Sequence, residues 1–278
     1  MCRWMAYSGN AITLSDLIFD TEHSLVDQSL SARSSVETTN GDGFGIGWYD
    51  DCEQPGVYKH IQPAWNDLNL MDLCRHTKSQ MFLAHVRAAT STSIQQSNCH
   101  PFRHGRWLFV HNGVIRNFRS IRRDLALEIG ADLYSELSGS ADSEIMFLLA
   151  LHFGMADDVY GGLARMVGFV ETVGRQHGIE FPMQMTLGIA DGVRLYALRY
   201  SSEHDSRSLY FSESVAALRR LVPAELQERL DHYSESARTV VSEPFHDLPG
   251  AWQAVPESSF LEIEAGDIRQ REFVPVVP

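Results

Sequence analysis

The sequence is poor in basic residues and has no long apolar run, and each shortage excludes a class of protein. In 278 residues, 23 Lys and Arg stand against 36 Asp and Glu, which gives a formal net charge of −13. This balance argues against a general binder of nucleic acid or of anionic membranes. No run of about 18 apolar residues predicts a membrane-spanning helix, and the N-terminus lacks the pattern of a secretory signal. We therefore expect no nucleic-acid or membrane partner.

Cysteine is scarce too, and the common metal-binding motifs are missing. The four cysteines, at positions 2, 52, 74 and 99, include no Cys-x-x-Cys pair, and a disulfide framework is not expected in so long a chain. The twelve histidines form no His-Glu-x-x-His motif. We therefore predict no catalytic metal and no cofactor. A reducing, cytoplasmic setting is expected, in which Cys2 is free to react.

What the sequence does contain is the composition of a globular protein, with 44% hydrophobic and 21% charged residues. Short apolar runs bounded by turn residues predict strands at 4–8, 43–49, 81–86, 107–110, 183–190, 193–200, 208–211, 239–242 and 260–264. Helical spacing of apolar residues predicts helices at 14–19, 24–32, 117–129, 143–153 and 159–176. Asp191-Gly192 predicts a hairpin. This order predicts an α+β fold of antiparallel sheets covered by helices, and no linker divides the chain.

A run of alternating glycines, Gly41 to Gly47, first suggests a nucleotide-binding loop. The spacing never gives G-x-G-x-x-G, and no Gly-Lys-Ser/Thr follows. Glycines at alternate positions of a strand indicate instead a surface that something approaches closely, either another strand or a ligand.

His111-Asn112-Gly113 follows the apolar run 107–110 and permits two interpretations. Asn-Gly between apolar segments is the leading signal for a tight hairpin turn. Alternatively, the Asn amide and the Gly backbone N–H form an oxyanion hole, the pair of donors that stabilises a tetrahedral intermediate in acyl transfer. The two are compatible, because a tight turn can present both donors to one point.

Two charged residues have similarly open roles. Arg87 comes directly after an apolar strand and is either a surface charge or a planar fork for a substrate carboxylate. Asp142 precedes a predicted helix and is either an N-cap or first-turn residue or the acceptor of a substrate ammonium group.

Cys2 becomes the first residue if the initiator Met1 is removed. Such a residue carries a thiol and a free α-amine, whose ordinary pKa is about 7.7–8.0. It can therefore supply the nucleophile and the base of one reaction. The plain alternative is that position 2 holds an incidental small residue.

Taken together, these segments resemble the glutaminase domain of the class II glutamine amidotransferases, which are N-terminal nucleophile hydrolases. The matching pieces occur in the family's order: 1–3 (Met-Cys-Arg), 42–47 (Asp-Gly-Phe-Gly-Ile-Gly), 85–90 (His-Val-Arg-Ala-Ala-Thr), 111–113 (His-Asn-Gly) and 140–144 (Ser-Ala-Asp-Ser-Glu). The resemblance covers about residues 2–210. It implies a single glutamine amidotransferase domain over 2–278, folded as a four-layer αββα sandwich.

The resemblance also implies roles for single residues. Cys2 resembles the nucleophile, with its own α-amine as the base, and Asn112 and Gly113 resemble the oxyanion hole. The family then implies hydrolysis of a γ-glutamyl amide through a γ-glutamyl thioester on Cys2.

On the substrate side, Arg87 resembles the clamp on the glutamate α-carboxylate, with support from Thr90, and Asp142 resembles the acceptor of the α-amine. The chain departs from some family members at Ala88 and Ser91, so we expect a differently shaped pocket around the leaving group.

Three functions are compatible with this resemblance. Short, stand-alone relatives include the γ-glutamyl hydrolases of ergothioneine and glutathione metabolism, which implies a small-molecule γ-glutamyl substrate. The second possibility is an ammonia-supplying glutaminase subunit of a separate synthase chain. The third is a non-catalytic binding module that retains the fold.

Overall fold

The computed structural model describes residues 2–32, 39–89 and 93–278. Its strands are β1 (Arg3–Thr13), β2 (Phe44–Trp48), β3 (Gly56–His60), β4 (Lys78–Val86), β5 (Phe102–His104), β6 (Trp107–Ile115), β7 (Met183–Ala190), β8 (Leu195–Ser201), β9 (Tyr210–Ser212), β10 (Arg238–Val241), β11 (Trp252–Ala254), β12 (Ser259–Glu264) and β13 (Asp267–Glu272). Its α-helices are α1 (Ser15–Ile18), α2 (Leu25–Leu30), α3 (Leu68–His76), α4 (Phe118–Glu128), α5 (Ala131–Tyr134), α6 (Asp142–His152), α7 (Val159–Gln176) and α8 (Val215–Leu221). Short 3₁₀ turns cover Ala64–Asn66, Gln96–Asn98 and Ala224–Leu230.

The strands of the described residues form two antiparallel sheets. One sheet has the order β11-β9-β10-β1-β4-β2-β3, and the other has the order β13-β12-β8-β7-β6-β5. In the first sheet β1 is central, because Met5 pairs with Ala84 of β4 on one side and with Val241 of β10 on the other. The start of β1 therefore lies beside the end of β4 and the end of β10.

The two sheets pack face to face over an apolar core that includes Trp4, Leu83, Val110 and Leu261. Trp4 spans the interface, and its indole Nε1 donates a hydrogen bond of 3.0 Å to Thr186 Oγ1 on β7. This bond satisfies the polar end of a buried tryptophan. It also fixes the start of β1 against the opposite sheet.

Each sheet is covered by helices on its outer face. The core on the outer face of the first sheet includes Leu17, Leu25 and Leu70, from α1, α2 and α3. The core on the outer face of the second sheet includes residues of α4, α6 and α7, such as Ile145 and Val167. These helix, sheet, sheet and helix layers confirm the predicted α+β, αββα fold class. Within the described ranges, no helix is long and apolar enough to cross a membrane.

The two hairpin predictions have opposite outcomes. Asp191-Gly192 does join β7 to β8, with Gly192 at φ +86°. The predicted turn at Asn112-Gly113 is wrong, since both residues lie inside β6 and pair with Thr186 and Met185 of β7. β7 offers β6 an unbroken pairing partner, so the ladder runs through the Asn-Gly step. Glycine is needed at 113 because a Cβ there would overlap the backbone carbonyl of Gln184.

The alternating glycines of β2 make room for another part of the chain. A Cβ on Gly45 would overlap the carbonyl oxygen of His100, and one on Gly47 would lie 2.8 Å from Pro101 Cγ. The segment that leads into β5 therefore packs directly on β2. The sequence suggested another strand or a ligand as the close neighbour, and at these two glycines the structure shows a loop segment of the same chain.

Candidate active site

The start of β1 and the end of β4 bring Cys2 and Arg87 to the same edge of the first sheet. Arg3 pairs with Val86 in the antiparallel ladder, so Cys2, just before Arg3, lies beside Arg87, just after Val86. Cys2 is partly buried and unpaired by any disulfide, and its Sγ donates a hydrogen bond of 3.6 Å to the carbonyl oxygen of Ala88. The segment after β4 therefore lies directly against the thiol.

Arg87 is almost fully buried, with 4% of its surface exposed. Its guanidinium donates to the carbonyl oxygens of Asp42 and Ser93, each at 3.3 Å. The Asp42 carboxylate in turn accepts a hydrogen bond of 2.8 Å from the backbone N–H of Ala89. The backbone carbonyls fix the orientation of the guanidinium, whose planar fork of donors suits a carboxylate.

Asn112 and Gly113 lie on β6 of the facing sheet. Thr186 Oγ1, which accepts the hydrogen bond from Trp4, also donates to the carbonyl oxygen of Asn112 at 3.5 Å. This bridge ties the start of β1 to Asn112. The Asn112 side chain is buried, with 4% of its surface exposed, and no described residue forms a hydrogen bond with its amide.

Asp142 is the first residue of α6, in the first helical turn as one interpretation of the sequence anticipated. One carboxylate oxygen accepts from the backbone N–H of Ile115, at the end of β6, and the other from that of Ser143, both at 2.9 Å. A carboxylate is stabilised at this end of a helix. The bond to Ile115 places Asp142 close to the Asn112-Gly113 segment.

The Cys2 thiol interacts electrostatically with Arg87 and with Asp142. Burial raises the pKa of the Cys2 thiol, the positive charge of Arg87 lowers it, and the negative charge of Asp142 raises it. The thiol is thus within reach of both charges. Because burial dominates, the thiol is neutral near pH 7 and needs a base before it can act as a nucleophile. Thr90 and Ser91 lie outside the described residues.

A buried ion-pair network supports the residue next to Cys2. Arg3 donates through Nε to Glu243 at 3.0 Å and through Nη1 to the carbonyl oxygen of Cys2 at 3.0 Å. The other oxygen of Glu243 lies 2.8 Å from His23 Nε2. Glu243 and His23 could not be found from sequence motifs, because Glu243 lies 240 residues from Arg3 and 220 residues from His23 in the chain.

Three buried histidines pack behind the site. The ring centroids of His85 and His100 are 4.2 Å apart, and those of His100 and His111 are 6.4 Å apart. His111 Nδ1 lies 2.7 Å from Ser143 Oγ. Burial lowers the pKa of His85 to about 3 and lowers those of His100 and His111 as well. All three rings are therefore neutral near pH 7.

Because the pKa values of these three histidines are lowered in the folded protein, we expect the free energy of unfolding to fall as the pH drops below about 6.5, the ordinary histidine pKa. In that range the unfolded chain binds protons that the folded protein does not, because the folded-state pKa values are depressed. Stability is therefore complete above this pH and is lost on acidification, by about 1.4 kcal/mol per pH unit for each histidine. Urea unfolding from about pH 5 to pH 7.5 measures the slope. The slope reports how many more protons the unfolded chain binds than the folded protein, and His100→Leu should reduce that number by about one. An unchanged slope in that variant would contradict the conclusion that His100 is buried in its neutral form.

No group of three or more His, Cys, Asp or Glu side chains in the described ranges is arranged to hold a metal ion. The candidate residues supply a thiol, two amide-type donors, one cation and one carboxylate, which are the groups that acyl transfer to a cysteine uses.

Comparison with known proteins defines the class to which this fold and site belong. The model of the class-II glutamine amidotransferases matches residues 1–272, so the chain is a member of that family. The match extends well beyond residue 210, the approximate end of the resemblance seen in the sequence. It confirms the predicted family and the prediction that the protein is an amide-hydrolysing enzyme.

Several individual proteins are similar along almost the whole chain. The probable glutamine amidotransferase DUG3 of Saccharomyces cerevisiae is 33% identical over 95% of this chain and 82% of its own length. The gamma-glutamyl-hercynylcysteine sulfoxide hydrolase of Mycolicibacterium smegmatis is 26% identical over 95% of this chain and 96% of its own. A solved class-II domain protein from Silicibacter pomeroyi superposes with a TM-score of 0.74 at 34% identity, covering 99% of this chain and 100% of that one.

Proposed function

We propose that the protein hydrolyses γ-glutamyl amides through a thioester on Cys2, with Met1 removed so that the α-amine of Cys2 is free. The observation that carries this proposal is the pairing of Arg3 with Val86, which places Cys2 beside Arg87 at the end of the first sheet. Arg87 and Asp142 both act electrostatically on the thiol, and a cation and an anion near a nucleophile suit a zwitterionic α-carbon end, with Arg87 binding the α-carboxylate and Asp142 binding the α-ammonium group. Thr90 is proposed to support the carboxylate.

In the first half-reaction, the α-amine of Cys2 takes the proton of the thiol. Sγ attacks the γ-carbonyl carbon, and the side-chain amide of Asn112 and the N–H of Gly113 stabilise the negative charge on the carbonyl oxygen. The C–N bond then breaks, the leaving amine takes the proton from the α-ammonium group, and a γ-glutamyl thioester remains.

In the second half-reaction, the α-amine removes a proton from water, which attacks the thioester carbonyl. The C–S bond breaks, glutamate is released, and the proton returns to the Cys2 thiolate. Arg87 and Asp142 keep the acyl group in place throughout, so both steps use one geometry.

The leaving amine distinguishes two candidate functions. One relative is named a hydrolase of a γ-glutamyl metabolite, which favours a γ-glutamyl hydrolase. Another is named a probable glutamine amidotransferase, which favours an ammonia-supplying subunit that works with a synthase partner. We propose the hydrolase as the principal function.

A substrate panel tests this proposal. Glutamate release should be measured for glutamine, for γ-glutamyl amino acids and peptides, and for the α-glutamyl isomers as matched controls. We expect a γ-glutamyl amino acid or peptide to exceed glutamine in kcat/KM by about tenfold or more, with no release from the α-isomers. Glutamine as the best substrate would favour the ammonia-supplying role, and release from none of them by correctly processed protein would contradict both.

A further inference from the structure

Within the first sheet, Cys2 has neighbouring strands on two sides, and of these the proposed reaction uses residues from the β4 side only. In the strand order β9-β10-β1-β4, Arg87 follows β4 on one side of Cys2, and β10 and β9 lie on the other. The N–H of Ser242, just after β10, donates to the carbonyl oxygen of Trp4 at 3.0 Å, and Ser208 Oγ donates to that of Ser242 at 2.8 Å. The segment that leads into β9 therefore reaches the same edge as Cys2.

This segment crosses from one sheet to the other. It connects β8 to β9, and Gln184 of β7 donates to the carbonyl oxygen of Asp205 at 2.5 Å. Arg207 lies in it, half-buried, within electrostatic reach of Arg3 on the first sheet and of Arg116 beyond the end of β6 on the second. The hydrogen bonds of Asp205 and Ser208, on either side of Arg207 in the chain, thus place this segment across the ends of the two sheets that carry the candidate site.

Arg207 differs from the two arginines beside it in having no counter-ion at contact distance. Arg3 is paired with Glu243, and Arg116 is paired with Glu203. Arg207 forms no ion pair with any residue in the described ranges, and its Nε is buried without a hydrogen-bond partner among them. The Asp205 carboxylate acts on Arg207 electrostatically, from beyond ion-pair distance.

A half-buried guanidinium without a counter-ion at contact distance favours the binding of an anion. Burial lowers the pKa of Arg207, and the charges of Arg3 and Arg116 lower it further, whereas Asp205 raises it. A guanidinium nevertheless stays charged in proteins, so the unfavourable environment remains. Planar carboxylates are the groups that its fork of donors binds best.

We propose that Arg207 binds a carboxylate on the leaving amine, so that the enzyme selects γ-glutamyl amino acids or short γ-glutamyl peptides over glutamine. The inference rests on the proposed function and assigns its leaving-group specificity. The two ends of the substrate then point in opposite directions from Cys2. Arg87 takes the α-carboxylate on the β4 side, and Arg207 takes the leaving-group carboxylate on the β9 side.

The test compares substrates that differ only in the leaving-group charge. γ-Glutamylalanine and γ-glutamylalanylglycine are each paired with the matching C-terminal amide, because the two lengths place the carboxylate at different distances from the scissile bond. We expect the acid to exceed the amide in kcat/KM by roughly ten- to hundredfold in at least one pair, as for a hydrogen bond between charged groups. Arg207→Gln should remove this preference by lowering kcat/KM for the acid alone, and Arg207→Lys should restore part of it.

Arg194→Gln is the matched control. Arg194 precedes β8, at the opposite end of the sandwich, and pairs with Glu264, so its loss should leave the preference unchanged. An equal loss of activity towards acid and amide in Arg207→Gln would assign Arg207 a merely structural role and overturn the inference.

Binding to the Cys2→Ala variant separates this inference from the proposed reaction. Calorimetry should show tighter binding of the acid than of the amide, with the difference lost when Arg207→Gln is added. Equal binding of both members of each pair would overturn the role of Arg207 even if the wild type hydrolyses them. Selective binding of the acid without hydrolysis by the wild type would support Arg207 and contradict the reaction instead.

Discussion

Replacing Cys2 with alanine should abolish γ-glutamyl hydrolysis, lowering kcat by a factor of at least about 10³. Alanine at position 2 still allows Met1 to be removed, so the variant keeps its α-amine and loses only the thiol. Among the described residues the thiol makes one weak hydrogen bond, to the carbonyl oxygen of Ala88, and the thermal midpoint should therefore stay close to that of the wild type. Glutamate release and a melting curve on the same sample measure both quantities.

The exposed Cys52 provides the matched control, because it is also a free thiol but lies away from the sheet edge. Cys52→Ala should retain full activity. A glutamine-mimicking electrophile should label the wild type and Cys52→Ala once each, at residue 2, and should not label Cys2→Ala. Hydrolysis that persists in Cys2→Ala would exclude the thioester mechanism.

The role of the α-amine has a test of its own. Burial raises the pKa of the Cys2 thiol, so the nucleophile depends on a base, and the α-amine exists only after Met1 has gone. A variant with a tag that blocks the N-terminus keeps the thiol and loses the amine. We expect it to be inactive, with intact-mass measurement confirming the state of the terminus in each sample.

The sequence predicted much of the fold because most of its elements carry a local signal. Val159–Gln176 and Met183–Ala190 begin and end where their apolar periodicity does. The strand Gly56–His60 and the helix Leu68–His76 were missed. Gly56–His60 is an edge strand of half-buried residues without clear alternation, and the helix has two buried residues, Leu70 and Cys74. Periodicity weakens where only part of a face is covered.

The candidate site was harder to predict, because it depends on contacts between distant segments. Asn112-Gly113 shows this most clearly. Its local signal is that of a turn, yet β7, about 70 residues later in the chain, pairs with it and keeps it extended. Arg207 carried no signal at all, since its position follows from the order of strands in the sheet. Local chemistry indicated which residues could react, and the topology determined which of them meet.

Asn112→Ala should have the second-largest effect on activity, lowering kcat by about 10²–10³ with little change in KM. The Asn112 amide is buried and unpaired within the described ranges, so it is available to the oxyanion that forms as Sγ attacks. A donor that acts mainly in the transition state changes kcat and leaves ground-state binding almost unaltered. Steady-state kinetics on one γ-glutamyl substrate separate the two parameters.

The neighbouring oxyanion-hole candidate cannot be tested by the same substitution. A Cβ on Gly113 would overlap the carbonyl of Gln184 and lie 2.7 Å from Met185 Cα, so Gly113→Ala disturbs the pairing of β6 with β7 as well as the donor. Asn112→Ala removes side-chain atoms alone and leaves the hydrogen bond from the Thr186 hydroxyl to the Asn112 carbonyl oxygen intact. Asn69→Ala, at an exposed position of α3, controls for the loss of an asparagine. A raised KM with an unchanged kcat in Asn112→Ala would assign the amide to substrate binding and remove it from the oxyanion hole.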